Sequence, residues 1–214
     1  PLTLHREQSS LLKKLLDGKN LAISAPTSFG KSFVIDSFIS IKKPSNILII
    51  VPTIALTDEV RRRIYKKFSH EYKIITTADV ELSDKNIFIF PQERAIGYID
   101  VIKSLDLLVI DEFYKASFDF DKERSSTLQK VILKLGKKAS QKYYLAPNIE
   151  KLNSNLFTED MEFIPLTFIT VYLSRHDTYK DITPSSKNTK LIEILNQHKE
   201  KKTLIYAGTY TEIN

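Results

Sequence analysis

The chain has 214 residues, of which 42% are hydrophobic and 27% charged, and its formal net charge is +6 at pH 7. This length suffices for one complete α/β domain and part of another, and no apolar run approaches the roughly 20 residues of a membrane span. Cysteine is absent, which excludes disulfides and cysteine-based metal sites. We therefore expect a cytoplasmic protein with no membrane partner. The basic net charge is compatible with binding to a polyanion.

The first elements predicted along the chain are a helix, a strand, a polar loop and a second helix. Residues 7–17 carry leucines at helical spacing, and Gly18 is a suitable stop. Residues 21–24 form a short apolar strand, and residues 25–32 follow it with the sequence Ala-Pro-Thr-Ser-Phe-Gly-Lys-Ser. A strand, a loop and a helix that starts at Gly-Lys-Ser are the context that a phosphate-binding loop requires.

The chemistry of this loop depends on the start of the helix. Free backbone N–H groups and a partial positive charge attract phosphate oxygens there, Lys31 would reach the outer phosphates, and the Ser32 hydroxyl would ligate Mg²⁺. Ala25 replaces the usual first glycine, and a polar loop before a helix is the alternative interpretation. The residues predicted to bind the nucleotide here are Thr27, Ser28, Phe29, Gly30, Lys31 and Ser32.

The remainder of residues 1–157 predicts strands that alternate with helices. The predicted strands are 46–51, 73–76, 86–90, 105–110 and 141–145, and the predicted helices are 55–68, a helix from about 94 to 103, and 125–138. This alternation favours a doubly wound parallel sheet with helices on both faces. Functional groups then collect at the carboxyl ends of the strands. Five candidate positions do follow apolar strands, namely Ala25, Pro52, Pro91, Asp111 and Ala146.

Two carboxylates follow the strand at 105–110. Asp111 would hold the Mg²⁺ that bridges the terminal phosphates, and Glu112 would orient or deprotonate the attacking water. The alternative is an acidic pair that faces solvent. Gln8 has an amide that can pair with the N6/N7 edge of adenine. Alone it would be read as a surface glutamine, but its place just before the first helix favours the functional interpretation.

Taken together, these segments resemble the superfamily 2 DEAD/DExH-box helicases. Residues 25–32 are similar to motif I in its Ski-type form, and residues 111–114 (Asp-Glu-Phe-Tyr) are similar to the DEAD/DExH box. The other matching segments are Gln8 (Q motif), 51–56 (motif Ia), 91–94 (motif Ib), 146–148 (in the place of motif III) and 204–209 (motif IV).

The resemblance implies an ATP-driven motor on single-stranded DNA or RNA, with ATP and Mg²⁺ as cofactors and Lys31, Asp111 and Glu112 as catalytic residues. It implies a P-loop NTPase fold with a RecA-like first domain at 1–157, and a linker with the truncated start of a second RecA-like domain at 158–214. The second domain supplies arginine fingers in this family, from a motif expected beyond Asn214 in the rest of the same polypeptide. We therefore expect this chain alone to hydrolyse ATP poorly.

In the family, motifs Ia and Ib contact the phosphodiester backbone, which makes Thr53 and Arg94 the best candidates for nucleic-acid contacts. The next helix carries a basic segment in which Arg61 and Arg62 are further candidates. Its full set of cations is Arg61, Arg62, Arg63, Lys66 and Lys67. A solvated helix face is the alternative interpretation of this segment.

Two departures from the family pattern favour translocation or remodelling over processive unwinding. Tyr114 replaces the Asp or His that ends the box, and residues 146–148 (Ala-Pro-Asn) lack both hydroxyls of motif III. Two alternatives stay open. One is a P-loop enzyme of another kind, such as a small-molecule kinase or an AAA-type ATPase, and the other is a nucleotide-gated recruitment module.

Overall fold

In the part of the chain that the structure describes, seven parallel strands form one sheet, and their bounds closely follow the apolar runs of the sequence. The computed structural model describes residues 4–26, 29–77, 80–117, 122–147, 149–152, 155–166 and 186–200. The strands are β1 Leu21–Ser24, β2 Asn46–Val51, β3 Lys73–Ile75, β4 Asn86–Pro91, β5 Leu107–Ile110, β6 Lys142–Ala146 and β7 Glu162–Pro165. Their order across the sheet is β3-β4-β2-β5-β6-β1-β7, and every pairing is parallel.

Helices connect most of these strands, as the right-handed crossover of parallel strands requires. The helices are α1 Arg6–Leu16, α2 Lys31–Lys42, α3 Ile54–Phe68, α4 Gln92–Gly97, α5 Lys122–Gly136 and α6 Lys187–Gln197, and a short 3₁₀ helix spans Phe113–Ala116. Among the described residues, none of the helices combines the length and the apolarity needed to cross a bilayer.

Two apolar cores lie on the two faces of the sheet. Alternate residues of each central strand point to opposite faces, so that Ile49 of β2 belongs to one core and Leu48 to the other. The first core is completed by α1, α2 and α3, and the second by α4 and α5. The predicted doubly wound sheet with helices on both faces is thereby confirmed.

The chain divides into two compact units, Pro1–Thr170 and Val171–Asn214. Strand β7 lies in the first unit and pairs with β1, so the first sheet continues past residue 157, where the sequence predicts the first domain to end. The predicted motif IV at 204–209 lies outside the described residues. In the second unit the structure describes α6, Lys187–Gln197.

One predicted helix is shorter than expected. The pattern predicts a helix to about Lys103, whereas α4 ends at Gly97. Glycine has a low helix propensity, and the chain continues in turns whose bonds run from Tyr98 N to the Ala95 carbonyl and from Ile99 N to the Ile96 carbonyl. These i to i+3 bonds are tighter than those of an α-helix.

An ion cluster joins α2 to α3 beneath the phosphate loop. The Asp36 side chain is only 5% exposed and accepts hydrogen bonds from Arg63 and Lys67, the latter at 2.5 Å. Arg63 also donates to the Ser32 carbonyl at 3.2 Å, in the first turn of α2. Part of the basic segment on α3 therefore fixes the helix that follows the phosphate loop.

We predict that Asp36→Ala lowers the free energy of unfolding by about 2 kcal/mol, because it leaves two partly buried cations without their carboxylate. Urea denaturation of the protein and its variant measures this loss. Asp58→Ala is the matched control, since Asp58 pairs with Arg61 and Arg62 at the surface and its loss should matter much less. Equal losses for the two variants would contradict the structural role of Asp36.

Candidate nucleotide-binding site

The phosphate loop lies where β1 ends at the carboxyl edge of the sheet. The Ala25 N–H donates to the Ala146 carbonyl at 3.0 Å, which ties the start of the loop to the end of β6. Gly30 has a φ of 76° and is the N-cap of α2, a left-handed conformation that glycine adopts without strain. The Lys31 ammonium donates to the Ala25 carbonyl at 2.9 Å and so spans the loop. Thr27 and Ser28 lie outside the described residues.

Gln8 lies against this loop, and its predicted contact with adenine remains a prediction. Its Nε2 donates to the Phe29 carbonyl at 2.7 Å, and its Oε1 accepts from the His5 N–H at 3.0 Å. The residue is 5% exposed, so both amide atoms have partners inside the protein. A Cβ added to Gly30 would lie 2.9 Å from Nε2 of Gln8. The absence of a side chain at Gly30 therefore leaves the space that the Gln8 amide occupies.

The acidic pair follows β5 at the same edge. The Asp111 N–H donates to the Ile50 carbonyl of β2 at 2.9 Å, and Oδ1 of Asp111 accepts from the Glu112 N–H at 3.0 Å. Glu112 has a φ of 54° and starts the 3₁₀ helix, a conformation that costs energy for a residue other than glycine and is often found at functional sites. Its carboxylate forms an ion pair with Lys115 at 2.5 Å.

The loop and the acidic pair act on each other electrostatically. Burial lowers the pKa of Lys31, and the charges of Asp111 and Glu112 oppose that effect. Burial raises the pKa of Asp111, and the charge of Lys31 opposes it. Because β1 and β5 both pair with β6, the loop and the acidic pair lie at the same edge of the sheet, and the role of Lys31, Asp111 and Glu112 toward a nucleotide remains a prediction.

The oxygen ligands in this region suit Mg²⁺ held jointly with phosphates. Among the described residues, no group of three or more carboxylate or histidine side chains could bind a metal on its own. Mg²⁺ in nucleotide sites typically uses one or two carboxylates together with phosphate oxygens and water. Asp111 and the Ser32 hydroxyl are the residues that would hold it here, and this assignment remains a prediction.

The candidate nucleic-acid residues fall into two groups. Thr53 is exposed at the end of β2 and caps α3, where its Oγ1 accepts from the Leu56 N–H at 3.2 Å. Arg94, in α4 after β4, donates to the Thr76 carbonyl. Both residues follow strands at the edge that carries the phosphate loop, and their contact with nucleic acid remains a prediction.

Arg61 and Arg62 lie apart from that edge. They are about 12 Å further along α3 than Thr53, at 1.5 Å of rise per residue, and both pair with Asp58 on their own helix. Their proposed contact with nucleic acid likewise remains a prediction.

Sequence reasoning missed residues that join the functional segments. Arg124 at the start of α5 donates to the Pro52 carbonyl and to the Glu93 carboxylate, and Lys115 pairs with Glu112. A cavity of about 150 Å³ beside the acidic pair is lined in part by Gln92 and Arg124. A single sequence contains no signal for Arg124, because its partners lie 31 and 72 residues away along the chain.

Comparison with known families shows which family the chain belongs to. The family model of the DEAD/DEAH box helicases matches residues 5–146, which include both the phosphate loop and the acidic pair. The chain belongs to the DEAD/DEAH box helicase family. The predicted superfamily 2 membership is confirmed, whereas the Ski-type form of the phosphate loop stays a prediction.

A similar sequence is that of anti-bacteriophage protein B of Escherichia coli (strain K12). This helicase domain is 36% identical to it over 157 residues, which cover 69% of the chain and 21% of that protein. The chain therefore spans about a fifth of the length of this relative.

Solved structures share the fold at low identity. A hypothetical ATP-dependent RNA helicase from Sulfolobus tokodaii matches with a TM-score of 0.60 and 17% identity, over 78% of this chain and 54% of that one. The Sulfolobus solfataricus SWI2/SNF2 ATPase core in complex with dsDNA has a TM-score of 0.53 and 14% identity, over 68% of this chain and 32% of that one. The UvsW helicase from bacteriophage T4 matches with a TM-score of 0.50 and 19% identity, over 77% of this chain and 61% of that one. These matches establish the RecA-like fold of helicase cores.

We predict that Lys31→Ala abolishes binding of a fluorescent ATP analogue, because it removes the cation that spans the loop and faces Asp111. Titrations with and without Mg²⁺ measure the affinity, and Lys13→Ala on the exposed side of α1 is the control. Unchanged affinity in the Lys31 variant would refute the assignment of the phosphate loop.

A second prediction concerns the left-handed glycine of the loop. Gly30→Ala should weaken binding of the analogue about tenfold, because a left-handed alanine costs about 1–2 kcal/mol and the new Cβ would press on Gln8. Gly97→Ala is the matched control, since a Cβ added there meets no atom within 4 Å. Equal affinities for the two variants would show that the loop does not depend on Gly30.

Proposed function

We propose that this chain is the ATP-binding core of a nucleic-acid-dependent ATPase of superfamily 2. In the full-length protein it would couple ATP hydrolysis to translocation on, or remodelling of, single-stranded DNA or RNA. ATP and Mg²⁺ would be its cofactors, and the remainder of the same polypeptide would complete the catalytic site.

One observation carries the proposal: β1 and β5 both pair with β6, so the phosphate loop after β1 and the acidic pair after β5 lie at the same edge of the sheet, where the charges of Lys31 and Asp111 influence each other. A triphosphate at the start of α2 would receive the Lys31 charge, and its Mg²⁺ would be shared by Ser32 and Asp111. When bound there, the metal would supply positive charge to stabilise the charge that develops on the phosphates. The protein supplies position, which is most of what phosphoryl transfer demands.

Glu112 is the proposed base or water-orienting residue. Its carboxylate pairs with Lys115 at 2.5 Å, so it would have to exchange this partner for the attacking water. The strained left-handed backbone of Glu112 is consistent with a residue whose placement serves catalysis rather than stability. Release of Glu112 from Lys115 is therefore a natural point of control over hydrolysis.

The second half of the site is proposed to come from a second RecA-like domain that starts within 158–214. Arginine fingers contribute about 10³–10⁵ in rate in related phosphoryl-transfer enzymes, and the motif that supplies them in the family is expected after Asn214. The chain alone would then bind nucleotide but turn it over slowly.

The printed name of the Escherichia coli relative, anti-bacteriophage protein B, suggests the setting of this activity. We propose a role in defence against bacteriophage, in which the ATPase acts on invading or replicating nucleic acid. The changed positions Tyr114 and 146–148, where the family links hydrolysis to strand movement, favour translocation or remodelling over processive unwinding.

A nucleotide-gated recruitment module is the second candidate. It is favoured by the same changed positions, because a protein that only binds has no need of motif III hydroxyls. In that case a Lys31→Ala protein would lose nucleotide binding but keep its biological activity.

We predict that Glu112→Gln in the full-length protein retains ATP binding and loses at least about 99% of strand-stimulated phosphate release, since general-base groups contribute about 10²–10⁴ in rate. Glu150→Gln, an exposed residue, is the control. Phosphate release is assayed with and without single-stranded DNA and RNA. Hydrolysis that neither nucleic acid stimulates would favour another class of P-loop enzyme.

A further inference from the structure

The start of α5 contacts both segments that are proposed to bind nucleic acid. Nη2 of Arg124 donates to the Pro52 carbonyl at 2.6 Å, and Nε donates to the Glu93 carboxylate at 3.0 Å. The Arg124 carbonyl in turn accepts from the Gln92 amide at 2.8 Å. One residue therefore joins the end of β2 to the start of α4, the two places where motifs Ia and Ib lie.

The same helix also holds the segment that follows the acidic pair. The Ser125 hydroxyl is completely buried and lies 2.8 Å from the Lys115 carbonyl and 2.7 Å from the Ser117 carbonyl. One turn later, the Gln129 amide donates to the Ala116 carbonyl at 2.7 Å. Three successive carbonyls of the 3₁₀ helix region thus lie within hydrogen-bond distance of two side chains of α5, and the single Ser125 proton is shared between two of them.

These contacts form a continuous path from the two segments proposed to bind nucleic acid to Glu112, the proposed base. The path runs from Pro52 and Glu93 through Arg124 to Ser125, and from Ser125 through Lys115 to Glu112. Its last step is the ion pair that must open before Glu112 can act on water. Movement of motif Ia or Ib would therefore reach Glu112 through the first turns of α5.

We infer that Arg124 is a positioning residue that couples strand binding to hydrolysis through α5. The inference rests on the proposed function, and it provides a route for coupling in a chain that lacks the motif III hydroxyls. Arg124 acts here through Pro52 and Glu93 and not by contact with the nucleotide. Its planar guanidinium suits this task because it can donate to two acceptors in fixed directions.

Direct contact between Arg124 and a strand phosphate is the competing explanation, because the side chain is 44% exposed. The two explanations differ in what they predict. A lost phosphate contact weakens strand binding and reduces the slope of log K against log salt by about one. A lost positioning contact reduces the rate of hydrolysis at a saturating concentration of single-stranded nucleic acid and leaves that slope unchanged.

The test compares Arg124→Ala, Arg124→Lys and the exposed control Lys130→Ala in the full-length protein. Phosphate release is measured against concentration of single-stranded DNA or RNA at several salt concentrations. We expect the ratio of the saturated stimulated rate to the basal rate to fall at least about fivefold in Arg124→Ala, the size that single residues on coupling paths reach. Lysine should restore little, because an ammonium lacks the planar fork, and Lys130→Ala should match the wild type.

The inference is overturned if Arg124→Ala keeps the wild-type ratio of stimulated to basal rate. It is also overturned if the variant only binds nucleic acid more weakly, with a smaller slope of log K against log salt. Thermal unfolding shows whether the variants fold. If Arg124→Ala does not, Arg124→Lys and Glu93→Gln test the path, and both should reduce the ratio. Absence of stimulation in the wild-type protein contradicts the proposed function itself, and with it the role of Arg124.

Discussion

The parallel pairing of β6 with both β1 and β5 is the constraint on which the site depends. Ser24 of β1 pairs with Ala146, and Ile110 of β5 pairs with Tyr144, so both flanking strands end near the end of β6. At about 4.8 Å between neighbouring strands, β1 and β5 are roughly 10 Å apart. The phosphate loop after β1 and the acidic pair after β5 are thereby held at one edge of the sheet, with only β6 between their strands. A slip of one residue in either register would turn every side chain of that strand to the opposite face.

Much of the fold could be predicted because its central strands are buried on both faces and read as uninterrupted apolar runs. The predicted bounds 21–24 and 46–51 match β1 and β2, and the polar residues that follow them do lie at the carboxyl edge. Strand β7 is harder to read from the sequence, because a strand at the edge of a sheet has a mixed pattern, and Glu162–Pro165 is only partly buried.

The candidate site was predictable to the level of its two sequence motifs and no further. Lys31, Asp111 and Glu112 are recognisable because their chemistry demands those residue types at fixed places after a strand. The contacts of Arg124 and of Arg63 join residues far apart in sequence, and the same arginine on a helix is equally compatible with solvent, nucleic acid or a buried carboxylate. The basic segment of α3 shows this, because Arg63 and Lys67 turn inward to Asp36 while Arg62 stays exposed.

The position of Gln8 bears on its predicted role, the recognition of adenine. Its amide is held at both heteroatoms, by His5 and by the Phe29 carbonyl, which leaves one N–H and one lone pair for a base. A glutamine that orders only on binding loses up to about 2 kcal/mol of side-chain entropy, and Gln8 has met that cost during folding. An adenine that pairs with the remaining N–H and lone pair would therefore bind to an amide that is already ordered. Selectivity for adenine would then depend on contacts that exist before the nucleotide binds.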